Sequence, residues 1–376
     1  MRTAGVTSER KFVMPTKPLP PNPNLEHLKH QAKDLLHDHQ LRTLEAGQRI
    51  REFHPRFRRA TDAAIGTAKL SLSDAQLTIA REYGFSSWPR LRACIESPNR
   101  EDLSLPKHER IEDPVFRRAV DLLDAGDAEA LRVQLLEHPG LVRKHVTFEG
   151  GNYFSHPTLL EFVAENPTRR GKLPKTIVQV ATAILDAGAK ADQSSLDSTL
   201  ALVSSSSIAR ECGVQLPLID VLCDYGADPN AGMRDALLYG EFEAVNALIR
   251  RGATVDLNVA AATGRVEEAR TLLSASDEET RQRALALAAQ YGHVEIVRML
   301  LDAGEDPNRY SPVGGHSHAT PLHQAALAGH GDVVRLLVER GANLNLKDIH
   351  HQATPLDWAN YAGQSEVAEL VRSLSP

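Results

Sequence analysis

TPLHQAALAGHGDVVRLLVERGANLN, residues 320–345, is written as two short apolar periods parted by a glycine turn. Thr320 is placed to cap a helix, and Pro321 follows at the first helical position, where a missing N–H costs nothing. Leu322, Ala325 and Ala326 form a narrow stripe of small apolar residues that lets a neighbouring element approach closely, and Gly329 ends the run. Val333, Val334, Leu336 and Leu337 give a second helix one apolar face, and Gly341 stops it in a left-handed cap. Helices of about eight to ten residues are marginal alone, so such a unit stands only by stacking on another.

The next stretch, TPLDWANYAGQSEVAELVRSL, repeats the design with Thr354, Pro355, Asp357 and Gly363 in the places of Thr320, Pro321, His323 and Gly329. Pro321 to Pro355 and Gly329 to Gly363 are both 34 residues. Upstream stand ALALAAQYGHVEIVRMLLDAGEDPN, AAATGRVEEARTLLSA, DALLYGEFEAVNALIRRGATVD and PLIDVLCDYGADPN. Earlier still come LLEFVAEN with IVQVATAILDAGAKAD, and FRRAVDLLDAGDAEALRVQLLEHPGLV. A recurring unit of this length is the signature of a stacked array.

The pattern resembles the ankyrin repeat family, on TPLHQAALAGHGDVVRLLVERGANLN, YGHVEIVRMLLDAGEDPN and DYGADPN. The resemblance covers residues 111–376, irregular at 111–217 and regular at 218–376. It implies an all-α solenoid of stacked helix-turn-helix units, β-hairpin fingers between repeats, and a protein partner bound along the concave face. The spacing departs from the family in the middle: Gly240 to Gly264 is 24 residues and Gly264 to Gly292 is 28, below the usual period of about 33. PTRRGKLPK and SSSSIARECGVQ are insertions between helices. The first, with Arg169, Arg170, Lys172 and Lys175, reads as a solvated basic turn.

Residues 1–22 are polar and proline-rich, a disordered tail by composition. Residues 23–100 read as a small helical module. Asn24 caps NLEHLKHQAKDLLHD, a second helix runs through LRTLEAGQRIREFH, and Ser73 with Gln76 forms a capping box between Leu72 and Leu77. Gly84 ends that helix, and another opens after Ser87. The module is similar to one found ahead of the repeats in many bacterial ankyrin proteins, and it is placed to cover the first repeat. Its RIREFHPRFRR arginines, Arg49, Arg51, Arg56, Arg58 and Arg59, raise nucleic-acid binding as an alternative, which Glu82, Glu96, Pro89 and a pI near 6.2 count against.

Residues 1–100 carry 17 Lys+Arg against 10 Asp+Glu, and the remainder 26 against 39. A basic front and an acidic body recruit different partners or attract each other. The absence of a long apolar window and of an apolar leader, with three scattered cysteines, points to a cytoplasmic chain that meets no membrane. Cys94, Cys212 and Cys223 are expected to be buried and inert. No GxSxG, HExxH, Walker or GxGxxG pattern occurs, and an open groove suits chemistry poorly. The chain is therefore read as a non-enzymatic scaffold without a cofactor.

Two sets of residues are candidates for binding. The pairs before the turn glycines end the inner helices and face the concave side: Leu238–Tyr239, Ala262–Thr263, Gln290–Tyr291, Leu327–Ala328 and Tyr361–Ala362. Three of the seven tyrosines fall at this position, which makes Leu238, Tyr239, Tyr291, Leu327 and Tyr361 the leading partner-binding residues. The second set is His316 and His318, in the finger beside Gly314 and Gly315, with His350 and His351 in the following finger. They are partner contacts in the first reading and metal or ligand contacts in the alternative, although H-x-H and H-H without cysteine fit no common zinc pattern. His323 is structural: three residues after Thr320, it takes the capping slot that Asp357 fills one repeat later. His330 parallels His293 and belongs to the scaffold.

Overall fold

The structure, a computed structural model, describes residues 17, 19–20, 23–96, 105–148, 153–313 and 315–374. Most of the tail read as 1–22, and Gly314, lie outside the described residues. These fall into two compact bodies, one spanning 101–253, the other made of 16–100 together with 254–376. Every regular element among the described residues is a helix, and none is long and apolar enough to cross a membrane.

The second body begins with the helical module: α1 (Leu25–Gln40), α2 (Leu44–Phe53), α3 (Asp62–Thr67), α4 (Leu72–Glu82) and α5 (Trp88–Glu96). Asn24 caps α1 by accepting from the backbone of Glu26 at 2.8 Å. The α4 cap is Ser71, with Asp74 as its partner, and not the expected Ser73 and Gln76. The Asp74 carboxylate takes both the Ser71 N–H (2.8 Å) and its hydroxyl (2.6 Å), which starts the helix two residues earlier. Leu28, Ala32, Leu35, Ile50, Ile79 and Leu91 close the module's own core.

The 101–253 body holds α6 (Pro114–Ala125), α7 (Ala128–Glu137), α8 (Ile177–Asp186), α9 (Gln193–Ser204), α10 (Ser207–Glu211), α11 (Gln215–Asp224), α12 (Pro229–Leu238) and α13 (Phe242–Arg250). A 3-10 turn, Leu160–Ala164, packs on α9, and α9 on α12, as an inner row; α7, α8, α11 and α13 follow one another outside it. The basic insertion is not a solvated turn throughout. Arg169 is buried and grips Asp124 with two bonds of 2.8 and 3.1 Å, while Glu165 accepts its backbone N–H at 2.7 Å. Arg170, Lys172 and Lys175 stay exposed, Arg170 reaching Asp124 from the surface. None of the cysteines is buried, and Cys212 is exposed, contrary to expectation.

Four helix pairs complete the second body: α14 (Leu257–Ala262) with α15 (Val266–Leu273), α16 (Glu278–Gln290) with α17 (Val294–Asp302), α18 (Pro321–Ala328) with α19 (Gly331–Glu339), and α20 (Pro355–Tyr361) with α21 (Ser365–Leu374). The even-numbered helices stack in one row and the odd-numbered in the other. Small side chains permit it: Ala260, Ala284, Ala288, Ala325 and Ala359 are fully buried between inner helices. The fingers are not β-hairpins, because no strand occurs among the described residues. Isolated backbone bonds tie them instead: Ser311 N–H to Ala319 O and Ala319 N–H to His316 O, both at 3.0 Å, Asp348 N–H to Ala353 O at 2.8 Å and, from one finger to the next, Ile349 N–H to His318 O at 2.9 Å. His316 (φ 45°) and Gln352 (φ 55°) bend each finger out of an extended path.

Candidate functional site

The scaffold that positions the candidate surfaces is set by a polar ladder. His293 Nε2 meets Ala262 O at 3.1 Å, His330 Nε2 meets Gln290 O at 3.1 Å, and Gln364 Nε2 donates to Leu327 O at 3.3 Å. Each residue follows a turn glycine and ties the end of an earlier inner helix, so the repeat position explains the histidines. His323 occupies the capping slot as read: its Nδ1 faces the Thr320 N–H at 3.3 Å and hydroxyl at 2.8 Å, and Asp357 does the same for Thr354.

At the inner-helix ends the paired residues separate by burial. Leu238 is buried with the core, and Ala262 with it. Leu327, Gln290 and Tyr291 are half-buried, Tyr291 accepting from Gln290 Nε2 at 3.0 Å. Tyr239 is 55% exposed and Tyr361 91%. Among the five residues named from the sequence, these two present the most aromatic surface to solvent.

The finger histidines do come together. His318 stacks on His350 with centroids 4.7 Å apart, and His316 and His351 lie edge-on to His318 at 6.1 and 6.4 Å. Stacked faces do not aim nitrogens at one point, and among the described residues no group of three or more His, Cys, Asp or Glu is placed to hold a metal ion. Burial lowers His318 to about 3 and His350 to about 4, so both rings are neutral near pH 7. Asp348 organises the cluster. Its carboxylate accepts from the backbone of His350 (2.9 Å), His351 (2.8 Å) and Ala353 (3.1 Å) and from the Trp358 indole (3.0 Å). Burial alone would raise it, but those donors hold it below its ordinary value. An aspartate two residues before a His-His pair is a local turn signature that the sequence offered.

The module sits against these fingers within the second body. Glu45, Gln48 and Glu52 recur at three- and four-residue spacing on one face of α2. Gln48 Nε2 donates to Ser311 O (3.3 Å) and Ser317 O (3.0 Å), Ser317 Oγ donates to Glu52 Oε2 (2.9 Å), and Gln352 Nε2 donates to Glu45 Oε1 (3.0 Å). The fingers expected to meet a partner are thus partly occupied by the chain's own residues, a contact that no sequence feature signalled. The arginines of α2 are also engaged: Arg49 forks onto Glu82 at 2.7 and 3.0 Å, and Arg51 pairs with Asp62.

A cleft of about 390 Å³ lies beside this seat, lined by Gln48, Arg51, Asp62, Arg281, Glu305 and Arg309 among others. Its arginines are matched by carboxylates, Arg281 to Glu305 at 2.6 Å and Arg309 to Glu278. Its described polar lining is otherwise carboxylate, amide and Tyr310, with neither Ser, Cys, His nor Lys.

Comparison with known families matches ankyrin repeats to residues 233–311, as three copies, and an ankyrin repeat to residues 317–349. No curated protein matches the chain.

Proposed function

We propose that this chain, an ankyrin repeat protein, is a non-enzymatic scaffold that holds a protein partner through the inner-helix ends of its repeats. Ankyrin repeats are in general protein–protein interaction modules. The observation that carries this reading is the exposure of the tyrosine at this repeat position, Tyr361 at 91% and Tyr239 at 55%. Tyrosine supplies a large apolar face with a hydroxyl rim and dominates many interfaces. Leu238 belongs to the core in this reading, and Tyr291 and Leu327 line the surface without leading it. His316 and His351 contribute at its finger edge, whereas His318 and His350 are finger packing. The nucleic-acid alternative is the less supported: Arg49 and Arg51 pair with carboxylates, which removes part of the charge such a site uses.

The test is affinity capture with the full chain, followed by a dissociation constant for the recovered protein against Tyr239→Ala and Tyr361→Ala. Both substitutions should weaken binding about tenfold or more while moving the melting temperature little. Unchanged affinity in both, with loss on substituting His316 or His351, would transfer the site to the fingers.

A further inference from the structure

Glu52 is a buried carboxyl at a contact between distant parts of one compact body. It is 2% exposed on α2, and its single bond across the contact comes from Ser317 Oγ at 2.9 Å. Its other oxygen has no hydrogen-bond partner among the described residues, nor do Nδ1 of His318 and both ring nitrogens of His350. Among the described residues no cation pairs directly with Glu52; Lys17 acts on it only at longer range. Arg49, on the same helix, is committed to Glu82 of α4, and Lys17 and Glu82 act on Glu52 with opposite signs. From the fingers come Ser317 and two neutral rings, His350 facing Lys17 and Glu82, with Asp348 behind them. The remaining bonds across the seam, from Gln48 and Gln352, are few and exchangeable with water.

We propose that the Glu52–Ser317 contact is a proton-operated latch, holding the helical module on the fingers while Glu52 is protonated and releasing it when Glu52 ionises. A carboxylate is disfavoured in this seam: burial withdraws it from water, and Lys17 and the Ser317 hydroxyl offset only part of that cost. Burial accordingly pushes Glu52 up to about 8, against the Ser317 bond, which lowers it. A solvent-exposed glutamate ionises near 4.5, so the latched state takes up a proton that the open state lacks. Its stability is full below about 4.5 and falls until pH passes about 8, the open-to-latched ratio rising about tenfold per pH unit between. Opening uncovers Ser311, Ser317 and the face of α2 bearing Glu45, Gln48 and Glu52. The inference does not depend on the inner-helix surface being the partner site.

Hydrogen exchange of the full chain between pH 6 and 9, corrected for intrinsic rates, tests it. Amides of the 311–319 and 346–354 fingers should open about tenfold more per pH unit up to about 8 and then level off, while α18 and α19 keep their protection. Glu52→Gln should flatten that rise, and Ser317→Ala, which removes the bond favouring the ionised form, should move its midpoint upward. Equal finger protection at pH 6 and 9 overturns the latch, as does an unchanged rise in Glu52→Gln or loss of α18 and α19 in step with the fingers. Should Glu52→Gln not fold, the wild-type profile and the Ser317→Ala midpoint decide, and a midpoint that stays put overturns the proposal.

Discussion

His323 shows how much one side chain can hold. It is fully buried, and its partners fix its chemistry. Nδ1 accepts from Thr320, which leaves the proton on Nε2 to face Ala353 O at 3.2 Å, while the ring meets Trp358 edge-on at 5.2 Å. A second proton would turn the capping acceptor into a donor, and burial lowers the group to about 4. His323→Ala should cost about 2 kcal/mol, the lost cap plus part of a cavity. His323→Asp should fare no better although Asp357 succeeds in the same slot, because Asp357 is exposed and its replica would set a buried carboxylate against the Ala353 carbonyl. The sign with pH follows from the depressed value: stability from His323 is present above about 6.5 and is lost as pH falls toward 4. Urea midpoints at pH 7 and 5, read by Trp358 fluorescence, check all three statements.

At the scale of elements, the ladder of His293, His330 and Gln364 separates position from identity. Gln364 does with an amide what the two imidazoles do, so His330→Gln should change stability by less than about 0.5 kcal/mol, whereas His330→Ala should cost about 1 kcal/mol. Gly292 shows the close approach behind it. Its φ is 77°, and a Cβ there would stand 2.7 Å from His330 Nδ1. Gly292→Ala should therefore cost about 2 kcal/mol, backbone strain together with a displaced rung, and thermal melts of the three variants rank them. The helix pairs and their caps were legible in sequence because capping, glycine turns and apolar spacing are local. The same locality misplaced one cap. Ser73 and Gln76 satisfied the pattern, yet Asp74 in reach of Ser71 made the stronger anionic cap. Arg169 was misread for the opposite reason, since its partner Asp124 lies 45 residues away and spacing cannot show it.

At the scale of the whole molecule, the seat of the helical module is the feature least legible in sequence. Gln48 and Ser317 are 269 residues apart, and nothing in LEAGQRIREF marks Glu52 as different from a solvated glutamate. The finger histidines were visible as a pattern, but their stacking and neutrality follow from burial that only the folded seam provides. These groups give the second body a two-sided dependence on pH. His318, His323 and His350, lowered to between about 3 and 4, destabilise it as pH falls below about 6.5. Glu52, raised to about 8, weakens it as pH climbs above about 4.5. Between 4.5 and 6.5 three histidines outweigh one carboxyl, and above 6.5 the carboxyl acts alone, so stability should peak near pH 6.5. Beyond the peak it should decline by up to about 1.4 kcal/mol per pH unit until about pH 8. Both tryptophans of the chain, Trp88 and Trp358, lie in this body, so denaturant titrations followed by tryptophan emission report on it from pH 4.5 to 9. Glu52→Gln should erase the alkaline limb and leave the acid limb intact. A wild-type profile that keeps rising beyond pH 7, or an alkaline decline that survives in Glu52→Gln, would place the sensitive groups elsewhere than in the seam.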